Sequence, residues 1–170
     1  MRVAVTGTPG TGKTTATKRL ETDLEVVHLN EVIDDEGLYT TVDEERESVV
    51  ADIDAIDGWV GEREDVILES HLAHHLNVDR VVVLRCHPET LEQRLQRRGE
   101  SPEKASENAD SEALDVILSE AVDRHGLESV YEIDTTDTEP EIVSEQIEAV
   151  CAGECEPSAG TVDFLEYIDQ

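Results

Sequence analysis

A glycine-rich segment near the start of the chain carries the clearest chemical signal. Residues Gly7–Thr14 read GTPGTGKT, which fits the pattern G-x-x-x-x-G-K-[ST]. In such loops the backbone N–H groups converge on phosphate oxygens, and the following helix adds the positive end of its dipole. Lys13 then reaches the β- and γ-phosphates, and the Thr14 hydroxyl is a ligand for Mg²⁺. The pattern predicts ATP or GTP binding, with nucleotide contacts at Gly7, Gly10, Gly12, Lys13, Thr14 and Thr15.

A carboxylate and an imidazole follow an apolar run in the middle of the chain. Glu69 comes directly after Val66–Leu68, and His71 lies two residues further on. Because a carboxylate at a strand end beside a phosphate loop commonly positions Mg²⁺, we predict Thr14 and Glu69 as the metal-binding residues. The alternative interpretation is a helix-capping Glu69 with a surface His71.

Several arginines could neutralise phosphate charge, because a guanidinium pairs with phosphate through two parallel hydrogen bonds. Arg98 and its neighbours Arg94 and Arg97 lie at the end of the predicted helix Pro88–Arg98, and we expect Arg98 to approach ATP. The alternative for Arg98 is an exposed side chain at a helix C-terminus. Arg85 stands at the carboxyl end of an apolar strand, where parallel sheets bind ligands, so we predict contact with the phosphate of a second nucleotide. A structural ion pair is the alternative for Arg85.

Histidines and cysteines give weaker signals. His71, His74 and His75 form H-x-x-H-H, which suggests zinc, but the nearby acidic residues are not at ligand spacing, so the sequence does not favour a zinc site. Cys151 and Cys155 could supply half of a metal site, but a second cysteine pair is missing. Three cysteines without a signal peptide predict a reduced, cytoplasmic protein.

These residues must be positioned by alternating strands and helices. Five short apolar runs predict strands at Arg2–Thr6, Glu25–Leu29, Val66–Leu68, Arg80–Cys86 and Val130–Asp134. Helical spacing predicts helices at Thr14–Glu21, Asp43–Arg63, Pro88–Arg98, Ser111–His125, Glu139–Cys151 and Val162–Ile168. We expect irregular structure with one helical turn at Asn30–Val42, a mobile polar segment at Ser101–Asp110 and a loop at Gly153–Thr161. The alternation predicts an α/β fold, a three-layer sandwich with a five-stranded parallel sheet in a single domain, residues 1–170.

Composition excludes some functions. Lys and Arg number 13 against 42 Asp and Glu, which gives a formal charge of −29. Direct binding to a nucleic-acid backbone or an anionic membrane is therefore not expected, because both need a basic face. No apolar run approaches the length of a membrane span. Only three lysines, many dispersed carboxylates and five aromatic residues resemble the proteins of halophiles that accumulate salt in the cytoplasm; an ordinary acidic cytoplasmic protein is the alternative.

Several segments together resemble one family of P-loop proteins. The phosphate loop continues to GTPGTGKTT, and further matches are Gly37–Tyr39 with Asp43–Glu45, and Val66–His71. The remaining matches are Val83–Arg85, Glu92–Leu95 with Arg97–Gly99, and Asn108 with Ser119–Ala121. This combination, spread over residues 2–148, resembles the adenylate kinase isoenzyme 6-like family, which acts as a nucleoside monophosphate (NMP) kinase and ATPase in ribosome maturation.

The resemblance implies an adenylate-kinase-like core with two additions, an NMP-binding segment at residues 30–53 and a lid at residues 97–107. It implies the reaction of ATP with AMP to give two ADP, with Mg²⁺, together with ATPase activity. The implied process is rRNA processing in small-subunit maturation, with a small-subunit ribosomal protein as partner. The family pattern assigns catalysis to Lys13, Glu69, His71 and Arg98, and NMP binding to Tyr39 and Arg85. The family has Asp at the position of Glu69, whose side chain is one methylene longer.

One departure from the family pattern concerns the acceptor. Residues 30–45 contain no Lys or Arg, so an expected arginine near Asp34 is absent, and Arg46 or Arg85 would have to replace it. Three alternatives to an NMP kinase therefore remain open. They are a ribosome-assembly ATPase with little NMP kinase activity, a P-loop kinase of another small molecule, and a nucleotide-binding module without catalysis.

Overall fold

The computed structural model describes residues 1–46 and 48–170. Glu47, which falls inside the predicted 30–53 segment and the predicted helix Asp43–Arg63, lies outside this described part. The strands are β1 (Arg2–Thr6), β2 (Glu25–His28), β3 (Tyr39–Asp43), β4 (Ser48–Ala51), β5 (Val66–Glu69), β6 (Arg80–Arg85) and β7 (Val130–Asp134). The α-helices are α1 (Lys13–Thr17), α2 (Leu29–Glu36), α3 (Ile53–Val60), α4 (Pro88–Arg97), α5 (Pro102–Ala113), α6 (Val116–His125) and α7 (Pro140–Ala152).

A five-stranded parallel sheet forms the centre of the molecule, as predicted. Its strand order is β2-β5-β1-β6-β7, so β1 lies in the middle, with β5 on one side and β6 on the other. After β1 the chain adds β2 and β5 on one side and then crosses to β6 and β7 on the other, so the strand order reverses at β1, and the crevice at the carboxyl end of such a strand is where these sheets bind ligands. The phosphate loop begins at this point.

Helices cover both faces of the sheet and bury its alternating side chains. On one face Val3, Val5 and Ile67 pack against Val143 and Ile147 of α7. On the other face the core contains side chains of α2, α3 and α6, namely Leu29, Ile33, Ile56, Val60, Leu118 and Ala121. The sheet therefore lies between two layers of helices, with one apolar cluster on each of its faces. Burial on both faces explains why the strands are continuous apolar runs.

The segment after α2 differs from the prediction. The predicted helix Asp43–Arg63 is wrong, because β3 and β4 pair as an antiparallel hairpin and only Ile53–Val60 is helical. Asp52 caps this shorter helix by accepting a hydrogen bond from the backbone N–H of Ala55. The region expected to be irregular, Asn30–Val42, contains two turns of α2 and most of β3.

The segment after α4 also differs. The predicted mobile stretch Ser101–Asp110 is largely helix α5, which begins with Ser101 accepting from the Lys104 N–H and with Pro102 in its first turn. Its buried apolar stripe consists of Ala105, Ala109 and Ala113, and Glu112 is buried beside it. The predicted helix Ser111–His125 is interrupted at Asp115, whose φ of 54° is left-handed.

Two predicted helices are shorter than expected. α1 ends at Thr17 instead of Glu21, and the predicted helix Val162–Ile168 is a single 3₁₀ turn, Leu165–Tyr167. No helix in the described part of the chain combines the length and hydrophobicity that membrane crossing requires.

Candidate nucleotide-binding site

The loop between β1 and α1 has the backbone of a phosphate cradle. Gly10 and Gly12 have φ angles of 93° and 94°, in the left-handed region that favours glycine. A Cβ on Gly10 would lie 3.0 Å from Leu91 and Leu95 of α4, whereas a Cβ on Gly12 would meet nothing within 4 Å. Gly10 is thus fixed by packing against α4, and Gly12 faces open space in which a phosphate group fits.

Lys13 is held inside this loop. Its side chain is buried, and Nζ donates to the carbonyl oxygens of Gly7 at 2.8 Å and Thr8 at 3.2 Å. Burial lowers the pKa of Lys13 to about 8, and the positive charge of Arg98 acts in the same direction, while Glu69 opposes it. A phosphate anion beside Nζ would favour the charged form of Lys13.

Glu69 lies across the loop from Thr14 and has two partners. Its Oε1 accepts a hydrogen bond from the Thr14 hydroxyl at 3.3 Å, and its Oε2 lies 2.6 Å from Nδ1 of His28. The side chain of Glu69 is almost fully buried. A hydroxyl and a carboxylate at this separation are the oxygen donors that Mg²⁺ prefers, so the residues present fit the metal that the loop motif implies.

His28 was missed by the sequence reasoning. It is the last residue of β2 and the register partner of Glu69 in the parallel pair β2–β5. Because the carboxyl ends of parallel strands meet at one edge of the sheet, the position of His28 at the end of a predicted strand was the available signal.

His71 lines the same site as a neutral group. Burial, with Lys13 adding to the effect, lowers the pKa of His71 to about 4. At neutral pH its imidazole therefore contributes a hydrogen-bond donor and an acceptor, and no positive charge.

Three cavities meet around these residues. The phosphate pocket is lined by Pro9, Gly10, Gly12, Lys13, Thr14, Thr15, Asn30, Glu69, His71 and Arg98. The α4–α7 pocket is lined by residues that include Thr15, Arg94, Arg97, Arg98, Thr135, Thr138, Pro140 and Val143. The hairpin pocket is lined by Asn30, Ile33, Asp34, Val42, Ser48, Val49, Ala51, His71 and Leu72.

The phosphate pocket adjoins both others. It shares Gly10, Gly12, Thr15 and Arg98 with the α4–α7 pocket, and Asn30 and His71 with the hairpin pocket. Asn30 is oriented by the Ser70 hydroxyl, which donates to its Oδ1 at 2.8 Å. The arrangement offers room for one ligand on each side of the glycine-rich loop.

The arginines divide into two kinds. Arg98 is exposed at the C-terminal end of α4 and lines two pockets, so the contact with a nucleotide and the exposed helix end both remain open for it. Arg94 instead donates to the carbonyl oxygens of Thr135 at 2.9 Å and Gly10 at 3.4 Å, so it holds the glycine-rich loop against the loop after β7.

The structure corrects the prediction that Arg85 meets a second phosphate. The side chain is 1% exposed and pairs with Glu112 at 2.8 Å, Asp115 at 2.5 Å and Glu132 at 2.5 Å. Burial alone would lower the pKa of Arg85, but the carboxylates of Glu112 and Asp115 outweigh it and raise the pKa. With its donors occupied, Arg85 is the structural ion pair that was the alternative.

Glu112 connects this buried network to the glycine-rich loop. One carboxylate oxygen accepts from the Thr8 hydroxyl at 2.6 Å, and the other accepts from the Arg85 guanidinium and from the backbone N–H of Cys86 at 3.0 Å. Its partners are distant along the chain, and no sequence signal identified it. Tyr39, predicted to bind the second nucleotide, is 38% exposed at the start of β3 and is not among the described residues that line the hairpin pocket.

Comparison with known proteins agrees with this geometry. A family described as "AAA domain" matches residues 3–115, which include the glycine-rich loop and Glu69. A protein named "Putative adenylate kinase" from Natronomonas pharaonis is 62% identical over 168 residues, covering 99% of this chain and all of the relative. Proteins of the same name from Halobacterium salinarum and Methanocaldococcus jannaschii are 63% and 42% identical, each covering 99% of this chain and 100% and 96% of the relative, respectively.

Solved structures show the same fold at low identity. A shikimate kinase from Bacteroides thetaiotaomicron has a TM-score of 0.60 at 16% identity and covers 89% of this chain and 98% of its own. A deoxyadenosine kinase from M. mycoides, solved with dATP, has a TM-score of 0.58 at 14% identity over 89% of this chain and all of its own. With its phosphate loop, its strand order and these relatives, the chain belongs to the AAA-domain family of P-loop proteins, in the group of the proteins named "Putative adenylate kinase".

Proposed function

We propose that the protein is an NMP kinase that converts ATP and AMP to two ADP with Mg²⁺. The observation that carries the proposal is the pair of pockets on either side of the phosphate pocket, joined to it through Arg98 and Thr15 on one side and Asn30 and His71 on the other. A hydrolase needs one nucleotide pocket, whereas transfer between two nucleotides needs two that meet at the phosphates. The archaeal relatives named adenylate kinase support the same reaction class.

The residues have distinct roles in this proposal. ATP lies with its base in the α4–α7 pocket and its phosphates on the glycine-rich loop, where Lys13 and Arg98 balance the charge of the transferred group. Thr14 and Glu69 would hold Mg²⁺, which would neutralise part of the phosphate charge. His71 and Asn30 lie where the two pockets meet and orient the acceptor phosphate by hydrogen bonds.

The acceptor lies in the hairpin pocket, whose Ile33, Val42 and Val49 offer an apolar surface to a base. None of the described residues that line this pocket is a Lys or an Arg. Arg46, at the tip of the β3–β4 hairpin, is exposed, with Nε 3.9 Å from Oδ2 of Asp43, so closure of the hairpin would bring a cation toward the acceptor phosphate. Lid residues 97–107 close over the opposite side and exclude water.

The test is ADP formation from ATP and Mg²⁺ with AMP, CMP, GMP or UMP, or with no acceptor, in multimolar KCl. The expected result is that AMP raises turnover far above the acceptor-free rate, with two ADP formed for each AMP consumed. Lys13→Ala should abolish this activity, whereas Lys18→Ala, which changes an exposed lysine just beyond the end of α1, should retain it. Slow hydrolysis that no monophosphate accelerates would overturn the kinase assignment.

A second function, an ATPase in maturation of the small ribosomal subunit, is suggested by the charge of −29. A strongly acidic surface speeds encounter with a basic ribosomal protein, although multimolar salt weakens this attraction. We infer that such a partner would stimulate hydrolysis without a monophosphate. Incubation with purified small-subunit ribosomal proteins, with ATP turnover as the readout, tests this function separately from the kinase reaction.

A further inference from the structure

A cluster of two imidazoles and one carboxylate lies outside the nucleotide pockets. His74 and His75 belong to the 3₁₀ turn Ala73–His75 that follows β5, and Glu120 comes from α6. Nε2 of His74 lies 2.7 Å from Oε2 of Glu120, and Nε2 of His75 lies 3.7 Å from the same oxygen. The three ligand atoms all fall within 4.8 Å of one another. None of these residues lines the phosphate pocket.

The sequence did not favour zinc here because no carboxylate stands at ligand spacing. The fold brings in the carboxylate of Glu120, which lies 45 positions after His75, because α6 packs on the 3₁₀ turn. The resulting set, two imidazole nitrogens and one carboxylate oxygen, has the donor types of three-ligand zinc sites.

His74 is oriented by a second contact. Its Nδ1 lies 2.8 Å from the hydroxyl of Thr6, so the ring is fixed with Nε2 toward Glu120. Metal-bound histidines characteristically have their other ring nitrogen held in this way. Burial lowers the pKa of His74, although the hydrogen bond to Glu120 opposes this, so the ring favours the neutral form that ligates metals.

The cluster is open to solvent on the side of His75 and Glu120. The His74 side chain is 1% exposed, but the side chains of His75 and Glu120 are 36% and 45% exposed. Zinc bonds of about 2.0–2.1 Å in tetrahedral geometry place ligand atoms about 3.3 Å apart. The Glu120 carboxylate therefore needs to move by a fraction of an ångström from His74, and its exposure permits that movement.

We propose that His74, His75 and Glu120 bind one divalent transition-metal ion of borderline softness, such as Zn²⁺, with water as the fourth ligand. Imidazole nitrogen distinguishes this site from Mg²⁺ sites, which use oxygen donors. The ion joins the 3₁₀ turn to α6. Through Thr6, the residue before Gly7, the same cluster is connected to the start of the phosphate loop. The site is separate from the reaction, so the proposal does not depend on the proposed kinase activity.

The test is titration of metal-free protein with Co²⁺ and Zn²⁺ in multimolar KCl with excess Mg²⁺. High salt and Mg²⁺ suppress loose binding to the acidic surface. We expect one equivalent of Co²⁺ to give the visible absorption of a four-coordinate site. Zn²⁺ should displace the bound Co²⁺ and should raise the thermal unfolding midpoint of the protein. His75→Ala and Glu120→Gln should each weaken binding by at least about tenfold. Both variants leave the buried His74 in place, and the amide introduced by Glu120→Gln can still hydrogen-bond to it.

Two variants serve as matched controls. Asp123→Asn removes an exposed carboxylate one turn further along α6, and Cys155→Ser removes an exposed thiol that could bind the same metals. Both should bind Co²⁺ like the unchanged protein. The proposal would be overturned if the protein bound no saturable equivalent of Co²⁺. It would also be overturned if His75→Ala and Glu120→Gln bound Co²⁺ as tightly as the unchanged protein, or if Cys155→Ser lost binding.

Discussion

Glu69 can ligate Mg²⁺ only if its carboxylate is held in the correct orientation, and His28 provides one of its two contacts. Nδ1 of His28 lies 2.6 Å from Oε2, which leaves Oε1 toward Thr14. We predict that His28→Ala leaves the fold intact and raises the Mg²⁺ concentration needed for half-maximal ADP formation by about 10–100-fold, the range for loss of a residue that supports a metal ligand.

The matched control for this substitution is His87→Ala, which removes a half-buried histidine that packs on Phe164 and does not line the phosphate pocket. Its Mg²⁺ dependence should be unchanged. If His28→Ala lowered turnover equally at every Mg²⁺ concentration, then His28 would not act through metal binding at the carboxylate of Glu69.

The three cysteines differ in accessibility, and their reactivity should follow. Burial raises the pKa of the Cys86 and Cys151 thiols to about 11, while Cys155 is exposed. Because the thiolate is the reactive form, we predict that a thiol-specific alkylating reagent at mildly alkaline pH modifies Cys155 first and leaves Cys86 unmodified in the folded protein. Peptide mass mapping measures this order, and rapid modification of all three thiols would contradict it. Unfolding in urea is the control that makes all three reactive.

At the scale of elements, the sequence predicts best where one pattern dominates a whole segment. The five sheet strands are confirmed because runs such as Arg80–Arg85 are apolar on both faces. The sequence does not reveal the hairpin because Val49 and Val50 of β4 extend the helical spacing of apolar residues that begins properly at Ile53 in α3. Helix α5 was missed because its buried stripe is made of alanines, which contribute little to an apolar pattern.

In the candidate site, too, residues that are contiguous in the sequence were predictable, and contacts between distant residues were not. The glycine-rich loop was predictable because its residues are contiguous and their spacing is fixed by the phosphate they cradle. Arg85 was assigned wrongly because its three partners, Glu112, Asp115 and Glu132, lie 27, 30 and 47 positions away, and only the packing of α5 and β7 brings them together. A strand-end position indicates that a residue lies near a site, and it does not reveal which groups already occupy its donors.

The ion pairs of Arg85 connect three elements: the end of β6, the α5–α6 junction and β7. Replacing Arg85 by Met leaves buried carboxylates without a cation, which costs about 3–5 kcal/mol of unfolding free energy. Urea denaturation should detect this loss. Arg19→Met, which removes an exposed pair with Glu141, should cost less than about 1 kcal/mol. Unchanged stability of Arg85→Met together with a raised KM for AMP would instead restore Arg85 as a phosphate ligand.

At the scale of the whole molecule, the charge of −29 on 170 residues makes stability a function of salt. The Debye length is about 3 Å at 1 M and about 10 Å at 0.1 M, so dilution exposes carboxylates to their neighbours' repulsion. We predict that lowering KCl from multimolar to about 0.1 M lowers the thermal unfolding midpoint by roughly 10 °C or more. For a chain of this size, each kcal/mol lost from the free energy of unfolding lowers the midpoint by about 2–4 °C.

Charge variants separate this repulsion from other effects of salt. Asp35, Asp123 and Glu145 are exposed on three different helices. Their combined replacement by Lys should flatten the dependence of the midpoint on KCl, because fewer like charges need screening. The charge-conserving exchange Asp35→Glu, Asp123→Glu and Glu145→Asp should retain the full dependence. A dependence that is equally steep in both triple variants would mean that KCl acts through water structure or apolar burial rather than through screening of the acidic surface.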